Sequence, residues 1–279
     1  IYISFSTTAI NMGNAINYYY EETKLSHINV QLLKMPQGAL QEVKSIEGVT
    51  EVQGRVVFDV PLETDDKDER VRIRIISMPD GRGSVNRLYS EESLQDSLQQ
   101  NDAILIRQFA NARDIKQGDI IEPVINGRTN TMKVTGIASS SEFVYLMENE
   151  QSMMPAEEKF GVAYVSEDFA QSAYGYQGSY NELLIRVKDE KMIDDVADKL
   201  EDKLEKYGVK RIIKREDQLS NKMLTQELKG LDTMAAAIPV LFLAVAAIII
   251  SIVLSRIVSN DRMAIGVLKA LGYSNMKVL

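Results

Sequence analysis

Few residues in this sequence of 279 amino acids are of the types that carry out chemistry. Cysteine is absent, so disulfides, thiolate nucleophiles and cysteine-bound metals are excluded. His27 is the only histidine, so a Ser-His-Asp triad could be built around it alone, and a site of several histidines cannot be built. His27 follows a predicted helix and precedes a predicted strand, which favours a structural role. We therefore expect no metal and no other cofactor.

Carboxylates occur in two clusters, Asp65-Asp66 with Asp68-Glu69 and Asp194-Asp195 with Asp198. Both clusters are typical of solvated surfaces. A pair of carboxylates could hydrolyse a glycosidic bond, but nothing in the sequence singles out such a pair. The phosphate-binding motif Gly-x-x-x-x-Gly-Lys-Ser/Thr does not occur. We predict that the chain is not an enzyme and does not itself hydrolyse ATP.

The charge is distributed unevenly along the chain. The net charge is −8, but residues from Met234 onward carry +3, so the preceding 233 residues carry −11. An acidic body argues against nucleic acid as a partner, because phosphate contacts require clustered lysine and arginine. Basic residues directly after an apolar run are typical of the cytoplasmic side of a membrane. The charged residues of the last part are Arg256, Asp261, Arg262, Lys269 and Lys277.

The apolar run lies between Asp232 and Arg256, where 23 consecutive residues carry no charge. As a helix this run would be roughly 34 Å long, compared with about 30 Å of hydrocarbon in a bilayer. We predict a transmembrane helix over residues 234–258, with Pro239 in its first turns. The following residues would be cytoplasmic and the acidic body extracytoplasmic. A buried core helix is the alternative interpretation.

The beginning of the chain is also uncharged, from Ile1 to Tyr20. We interpret residues 1–24 as the end of a first membrane helix with an outer extension, which predicts a multi-pass protein of the cell membrane. A signal peptide fits less well, because a basic leader and a small-x-small cleavage site do not occur. The three tyrosines at 18–20 would lie near the membrane surface or pack against another helix.

Residues 25–216 alternate between strand and helix patterns, which predicts an α+β extracytoplasmic domain followed by the transmembrane helix. "HINVQLLK" is a strand, a helix opens at Pro36, and "VTEVQGRVVFDVPL" is a second strand. "NELLIRVK" is a later strand, Gly208 ends the helix that follows it, and "VKRIIKR" is the next strand. That helix has apolar residues at helical spacing, at Ile193, Val196, Ala197, Leu200, Leu204 and Tyr207. The domain would thus consist of two βαβ-like units.

A small β-rich lobe is expected to be inserted between these units, over about residues 101–178. Its strands are predicted around 103–107, 119–125 and 131–138, and Asn126-Gly127 is a strong hairpin signal. After the domain, residues 217–233 form a predicted helix that connects directly to the membrane segment.

Three features of the chain resemble ABC transporter permeases of the FtsX/MacB/LolC type. The first is the order of a span, an outer domain and a second span. The second is the segment "LIRQFANARDIKQGDIIEPVINGRTNTMKVTGIAS", which is similar to the family's insert. The third is "RMAIGVLKALGYS", which is similar to the family's signature after the second span. The matching residues are Ala110, Gly118, Asp119, Val134, Gly136 and Ile137 in the insert, and Arg262, Ile265, Gly266, Lys269 and Gly272 after the span.

The resemblance implies that residues 259–279 form a cytoplasmic coupling helix that docks on the ATPase subunit. On a helical wheel one face is apolar and the other presents small residues beside Lys269. The expected coupling residues are Arg262, Ile265, Gly266, Lys269, Leu271 and Gly272. The apolar face comprises Ala264, Val267, Leu268 and Leu271, and the small face Gly266, Ala270 and Tyr273. From the residues alone, a helix lying on the membrane surface is an equal alternative.

The function implied is that of a permease subunit that transmits an ATP-driven conformational change from a cytoplasmic ATPase to the outer domain, for export or mechanotransmission. The implied partners are the ABC ATPase, a second permease copy or homologue, an extracytoplasmic protein and the membrane, but no nucleic acid. The alternative is a membrane-tethered sensor whose outer domain binds a ligand. A third interpretation, an anchored hydrolase, lacks a visible catalytic constellation.

Overall fold

The computed structural model describes residues 2–64, 66, 68–79, 83–149, 152 and 154–272. The chain divides into two compact units, one formed by Asn14–Gln226 and the other by Ile1–Gly13 with Glu227–Leu279. The helices are α1 (Tyr2–Glu22), α2 (Leu40–Lys44), α3 (Arg107–Ala112), α4 (Glu167–Tyr174), α5 (Ile193–Leu204), α6 (Leu219–Asn260) and α7 (Arg262–Ala270). The strands are β1 (Ile28–Pro36), β2 (Val49–Arg55), β3 (Val57–Leu62), β4 (Val71–Met78), β5 (Asp102–Ile106), β6 (Ile120–Ile121), β7 (Val124–Ile125), β8 (Arg128–Thr129), β9 (Met132–Ala138), β10 (Phe160–Ser166), β11 (Ser179–Val187) and β12 (Val209–Lys214).

The first sheet of the 14–226 unit confirms the two predicted βαβ-like units. Its strand order is β12-β1-β11-β2, and all neighbours are antiparallel. The two strands of each unit are therefore separated by one strand of the other unit, as in split βαβ folds. Alternate apolar residues of the strands pack against α2 and α5, and together they form a buried core of Ile28, Val30, Leu183, Ile185, Val196 and Leu200. The other face of the sheet carries polar residues.

The second sheet is mixed, with the order β3-β4-β10-β5-β9-β6. Strand β10 lies parallel to β4 and antiparallel to β5, and nearly all of its residues are buried, which explains its almost wholly apolar sequence. The predicted hairpin is confirmed: Asn126 and Gly127 have φ values of 50° and 74° and connect β7 to β8.

The inserted sheet begins earlier than residue 101. The single strand predicted over "VTEVQGRVVFDVPL" is wrong, because β2 lies in the first sheet and β3 in the second. The chain changes sheet at Val56, whose N–H donates to Ser77 Oγ and whose carbonyl accepts from the Ser77 N–H, both at 2.8 Å. Apolar residues occur in both strands, since both sheets bury them, so periodicity alone does not reveal the division.

Helix α6 is a single helix of 42 residues that includes the predicted connecting segment from Leu219 onward and the whole predicted membrane span. Among the described residues it is the one helix long and apolar enough to cross a membrane, with a mean hydropathy of 3.0 in its apolar window and none of that window buried. Pro239 lies in the first turns of the predicted span but well inside α6, because the helix already begins at Leu219. Its missing N–H removes a backbone hydrogen bond to the preceding turn.

Candidate functional site

The six residues expected to contact an ATPase lie in and directly after α7. Arg262, Ile265, Gly266 and Lys269 belong to the helix, and Leu271 and Gly272 form its C-terminal turn. Gly272 has a φ of 83°, and its N–H donates to the Lys269 carbonyl at 3.1 Å, so this glycine ends the helix. The expected participation of Tyr273 lies outside the described residues.

Helix α7 presents both of its predicted faces to the outside. The side chains of Met263, Val267 and Leu271 are 84%, 57% and 71% exposed. A Cβ added to Gly266 would meet no atom within 4 Å, so the small face is open. An exposed apolar face beside a small one provides a surface on which another protein or a membrane could lie. The role of these residues in ATPase coupling stays a prediction.

A second candidate site, which the sequence did not predict, is a buried ion cluster around Arg55 in the 14–226 unit. Arg55 donates through Nη1 and Nη2 to both carboxylate oxygens of Glu142, at 2.8 and 2.5 Å. Its Nε donates to Glu182 Oε2 at 2.5 Å, and Arg55 and Glu182 are cross-strand partners of β2 and β11. Glu142 belongs to a short 3-10 turn, Ser141–Phe143, that follows β9. The cluster therefore joins the first sheet to the inserted lobe.

The cluster is buried, which determines its electrostatics. The side chains of Arg55, Glu142 and Glu182 are 3%, 11% and 7% exposed. Burial alone would lower the pKa of Arg55, but Glu142 and Glu182 raise it above its ordinary value. Burial alone would raise the pKa of Glu142, but Arg55 and a hydrogen bond from Asn86 keep this pKa below its usual range. Arg55 and Glu142 are thus charged at neutral pH, and each stabilises the charge of the other.

Within the 14–226 unit, the end of α1 and the start of α6 both bond to the segment that carries Glu142. Thr23 Oγ1, just after α1, donates to Ser141 Oγ at 2.8 Å. Ser220 Oγ, in the first turn of α6, accepts from the Tyr145 N–H at 3.0 Å. The two helices are also joined directly, because the hydroxyl of Tyr20 donates to Asn221 Oδ1 at 3.1 Å.

Asn86 connects the end of α1 to the same carboxylate. Its Oδ1 accepts from the Ser26 N–H at 2.7 Å, and its Nδ2 donates to Glu142 Oε2 at 2.9 Å. Asn86 has a φ of 50°, a left-handed conformation that asparagine tolerates better than most residues. We call the connected set the junction cluster: Tyr20, Thr23, Ser26, Arg55, Asn86, Ser141, Glu142, Tyr145, Glu182, Ser220 and Asn221.

A cleft of about 490 Å³ opens beside the junction cluster. Its floor is the polar face of the first sheet, and its walls are β3, the segment 142–149 and the segment 217–220. Arg74 on one wall is bidentate to Asp59, with distances of 2.6 and 2.8 Å. The volume is in the range of small-ligand sites, and the lining mixes charged, amide and apolar side chains.

The sequence contained a partial signal for this polar face. In β1, Asn29 and Gln31 alternate with buried aliphatic residues, and in β11 Glu182 stands among apolar residues. Such alternation predicts a sheet with one polar face. It does not predict that Glu142, 40 residues before Glu182, would lie against Arg55, because that pairing depends on the position of the inserted lobe.

His27 is structural in this fold, as expected. Its side chain is 4% exposed, and its Nδ1 accepts from the Val187 N–H at 3.0 Å. Burial, together with the charges of Arg215 and Arg186, lowers the pKa of His27 from 6.5 to about 4. The imidazole is therefore neutral at physiological pH and serves as a hydrogen-bond acceptor.

Stability should depend on pH through His27. In the unfolded chain histidine binds a proton near pH 6.5, but in the folded chain only near pH 4, so the unfolded state binds more protons between these values. We expect the free energy of unfolding to fall by up to about 3 kcal/mol as the pH drops through this window. Urea unfolding at several pH values, followed by the near-UV dichroism of tyrosine, measures this.

His27→Asn is the matched variant, because asparagine Oδ1 can accept the Val187 N–H and does not titrate. We expect the free energy of unfolding of this variant not to change between pH 6.5 and 4. At pH 7 the variant should be nearly as stable as the wild type. His27→Leu should be less stable at every pH by about 1–3 kcal/mol, because the buried N–H then lacks an acceptor. A wild-type pH profile in the His27→Asn variant would assign the titration to another group.

No family model matches the chain, and no curated protein matches it in sequence. Among solved structures, the extracellular domain of the ABC-type transporter YknZ from Gram-positive bacteria is 15% identical, with 66% of this chain and 99% of that chain covered and a TM-score of 0.42. The periplasmic region of MacB from Actinobacillus actinomycetemcomitans is 9% identical, with 77% of this chain and 98% of that chain covered and a TM-score of 0.42. A domain of a protein described as a permease, from Porphyromonas gingivalis, is 10% identical, with 68% and 87% covered and a TM-score of 0.35.

Proposed function

We propose that the chain is part of a permease subunit of an ABC transporter complex and transmits an ATP-driven conformational change from a cytoplasmic ATPase to an extracytoplasmic domain. The observation that carries the proposal is α6, which begins at the junction cluster and continues as one helix through the apolar, exposed stretch. It ends at Asn260, close to Arg262, the basic residue that begins α7. A continuous helix is a rigid element along which displacement can be passed.

In this proposal, the displacement is passed along α6 to the junction cluster. Ser220 and Thr23 bond to the segment 140–145, and Glu142 in that segment is anchored to Arg55. A displacement of the start of α6 would therefore act on the connection between the first sheet and the inserted lobe. We propose that the arrangement of these two sheets is what changes during the transport cycle.

In this proposal, the ATPase binds α7, and the displacement starts there. The open small face at Gly266 fits a close approach by another protein, and Lys269 beside it can pair with an acidic residue of the ATPase. The full permease would act with a second copy or a homologue and with an extracytoplasmic partner protein. The proposal leaves the transported substrate open and applies equally to export and to mechanical signalling.

The topology can be tested cleanly because the chain contains no cysteine. We expect Asp66→Cys to react with an impermeant maleimide on intact cells, and Lys269→Cys to react only after the membrane is permeabilised. Both positions are exposed, so accessibility to solvent does not distinguish them. The cysteine-free parent is the control, and labelling of Lys269→Cys but not Asp66→Cys on intact cells would invert the proposed orientation.

The function itself is tested by affinity purification of the full-length protein from its native membrane in mild detergent. We expect an ABC ATPase to co-purify in stoichiometric amount, with ATP turnover in the purified complex. Recovery of a kinase or another signalling protein in place of an ATPase would favour a membrane-tethered sensor. The cleft of about 490 Å³ is the observation that favours this second candidate, since a sensor must bind a ligand.

A further inference from the structure

The outer edge of β12 carries backbone groups that the described residues leave unbonded. Strand β12 is the last strand of its sheet and pairs with β1 on one side only. The Arg215 N–H donates to the His27 carbonyl and the Leu33 N–H to the Gly208 carbonyl, so Arg211, Ile213 and Arg215 direct their backbone groups toward β1. The N–H and carbonyl groups of Ile212 and Lys214 therefore point away from the sheet, and no bond from a described residue reaches them.

The two faces of this edge differ in chemistry. Lys210, Arg211 and Ile213 line the cleft on the polar face, and the first two are exposed. On the opposite face Ile212 packs against the apolar core, and Lys214 pairs with Asp194 at the start of α5. The cleft side of the edge is thus basic, and the helix side is apolar next to Ile212.

We propose that the edge of β12 binds an extended segment of a partner protein that adds as a fifth strand and alternates acidic with apolar residues. The main-chain groups of Ile212 and Lys214 would bond to the segment. Its acidic side chains would lie beside Lys210 at the mouth of the cleft, and its apolar side chains would lie next to Ile212.

Charge favours this occupant over a second copy of the chain. Two β12 edges paired with each other would bring Lys210, Arg211 and Lys214 of one copy close to the same residues of the other, and like charges directly opposite each other are destabilising. Basic residues on an edge strand therefore prevent self-pairing. An acidic strand would interact favourably with the same charges. The basic residues therefore disfavour the pairing of two β12 edges and favour a partner strand with acidic side chains.

The test uses the full chain in detergent and a fluorescein-labelled peptide of alternating glutamate and valine, with binding measured by fluorescence anisotropy. We expect saturable binding that weakens with added salt, and no binding of the matched lysine–valine peptide. Lys210→Glu should weaken binding by about tenfold, whereas Lys44→Glu, the same charge change on the exposed surface of α2, should leave it unchanged. Equal binding of both peptides, or an equal effect of both substitutions, would overturn the proposal.

Strand addition is tested separately with peptides N-methylated at alternate positions. Only one edge of an added strand bonds to β12, so one pattern of methylation should abolish binding and the other should not. Equal binding of both methylated peptides would exclude strand addition. Stronger self-association of Lys210→Glu, with peptide binding unchanged, would assign the edge to a second copy and reject the proposed partner. None of these outcomes depends on whether an ATPase binds α7.

Discussion

Replacing Arg55 with methionine should lower the free energy of unfolding by about 3–5 kcal/mol. Methionine fills much of the space of the arginine side chain but leaves Glu142 and Glu182 buried without their shared cation. The expected cost is the desolvation of two unpaired carboxylates and not the loss of one attractive contact. Urea unfolding of the full chain in detergent, followed by tyrosine near-UV dichroism, measures this loss.

Lowering the pH should partly rescue the Arg55→Met variant. Without the arginine, burial raises the pKa of Glu142 in the folded state, so the folded variant binds a proton more readily than the unfolded chain. Its deficit relative to wild type should therefore be largest at neutral pH and shrink as the carboxylates are protonated. Arg72→Met is the control, because the Arg72 side chain is 50% exposed in its pair with Glu148 and should contribute less than about 1 kcal/mol. A deficit that is the same at all pH values, or equal in both variants, would contradict the cluster's role.

The two βαβ-like units of the first sheet could be predicted from the sequence because each unit has a strong local pattern. Helix α5 repeats its apolar residues at helical spacing, and Gly208 ends the unit's helical segment with a φ of 70°. The boundary at Val56 could not be predicted in the same way. Apolar residues stand on both sides of it, and the long-range bond to Ser77 marks the point at which the chain passes from one sheet to the other.

The two candidate sites also differ in how far apart their residues lie in the sequence. Helix α7 is a local feature, so its residues were visible as a motif and are placed by the structure on one helix and its C-terminal turn. The junction cluster consists of polar residues up to about 200 positions apart, such as Tyr20 and Asn221. No periodicity links such residues, because their meeting depends on how the inserted lobe and the two long helices pack.

Replacing Gly266 with leucine should break the contact between α7 and the ATPase. In the chain itself the substitution is harmless, because an added Cβ at position 266 meets nothing within 4 Å. Against a closely packed partner, however, the added isobutyl group forces the two surfaces apart, and overpacking commonly costs about 1–3 kcal/mol. The expected result is a loss of affinity of about 5- to 150-fold. Lys269→Glu should act in the same direction, because it reverses the charge beside the small face.

Co-purification of the ATPase with the full-length Gly266→Leu protein, together with its ATP turnover, is the most direct test of coupling through α7. Gly230→Leu is the matched control: it makes the same change in a helix, at a glycine whose added Cβ is equally free of contacts, but in α6. We predict that Gly230→Leu retains the ATPase and that Gly266→Leu loses it, with the fold of both unchanged by tyrosine dichroism. Wild-type association and turnover in Gly266→Leu would contradict the account and leave α7 as a helix that lies on the membrane surface.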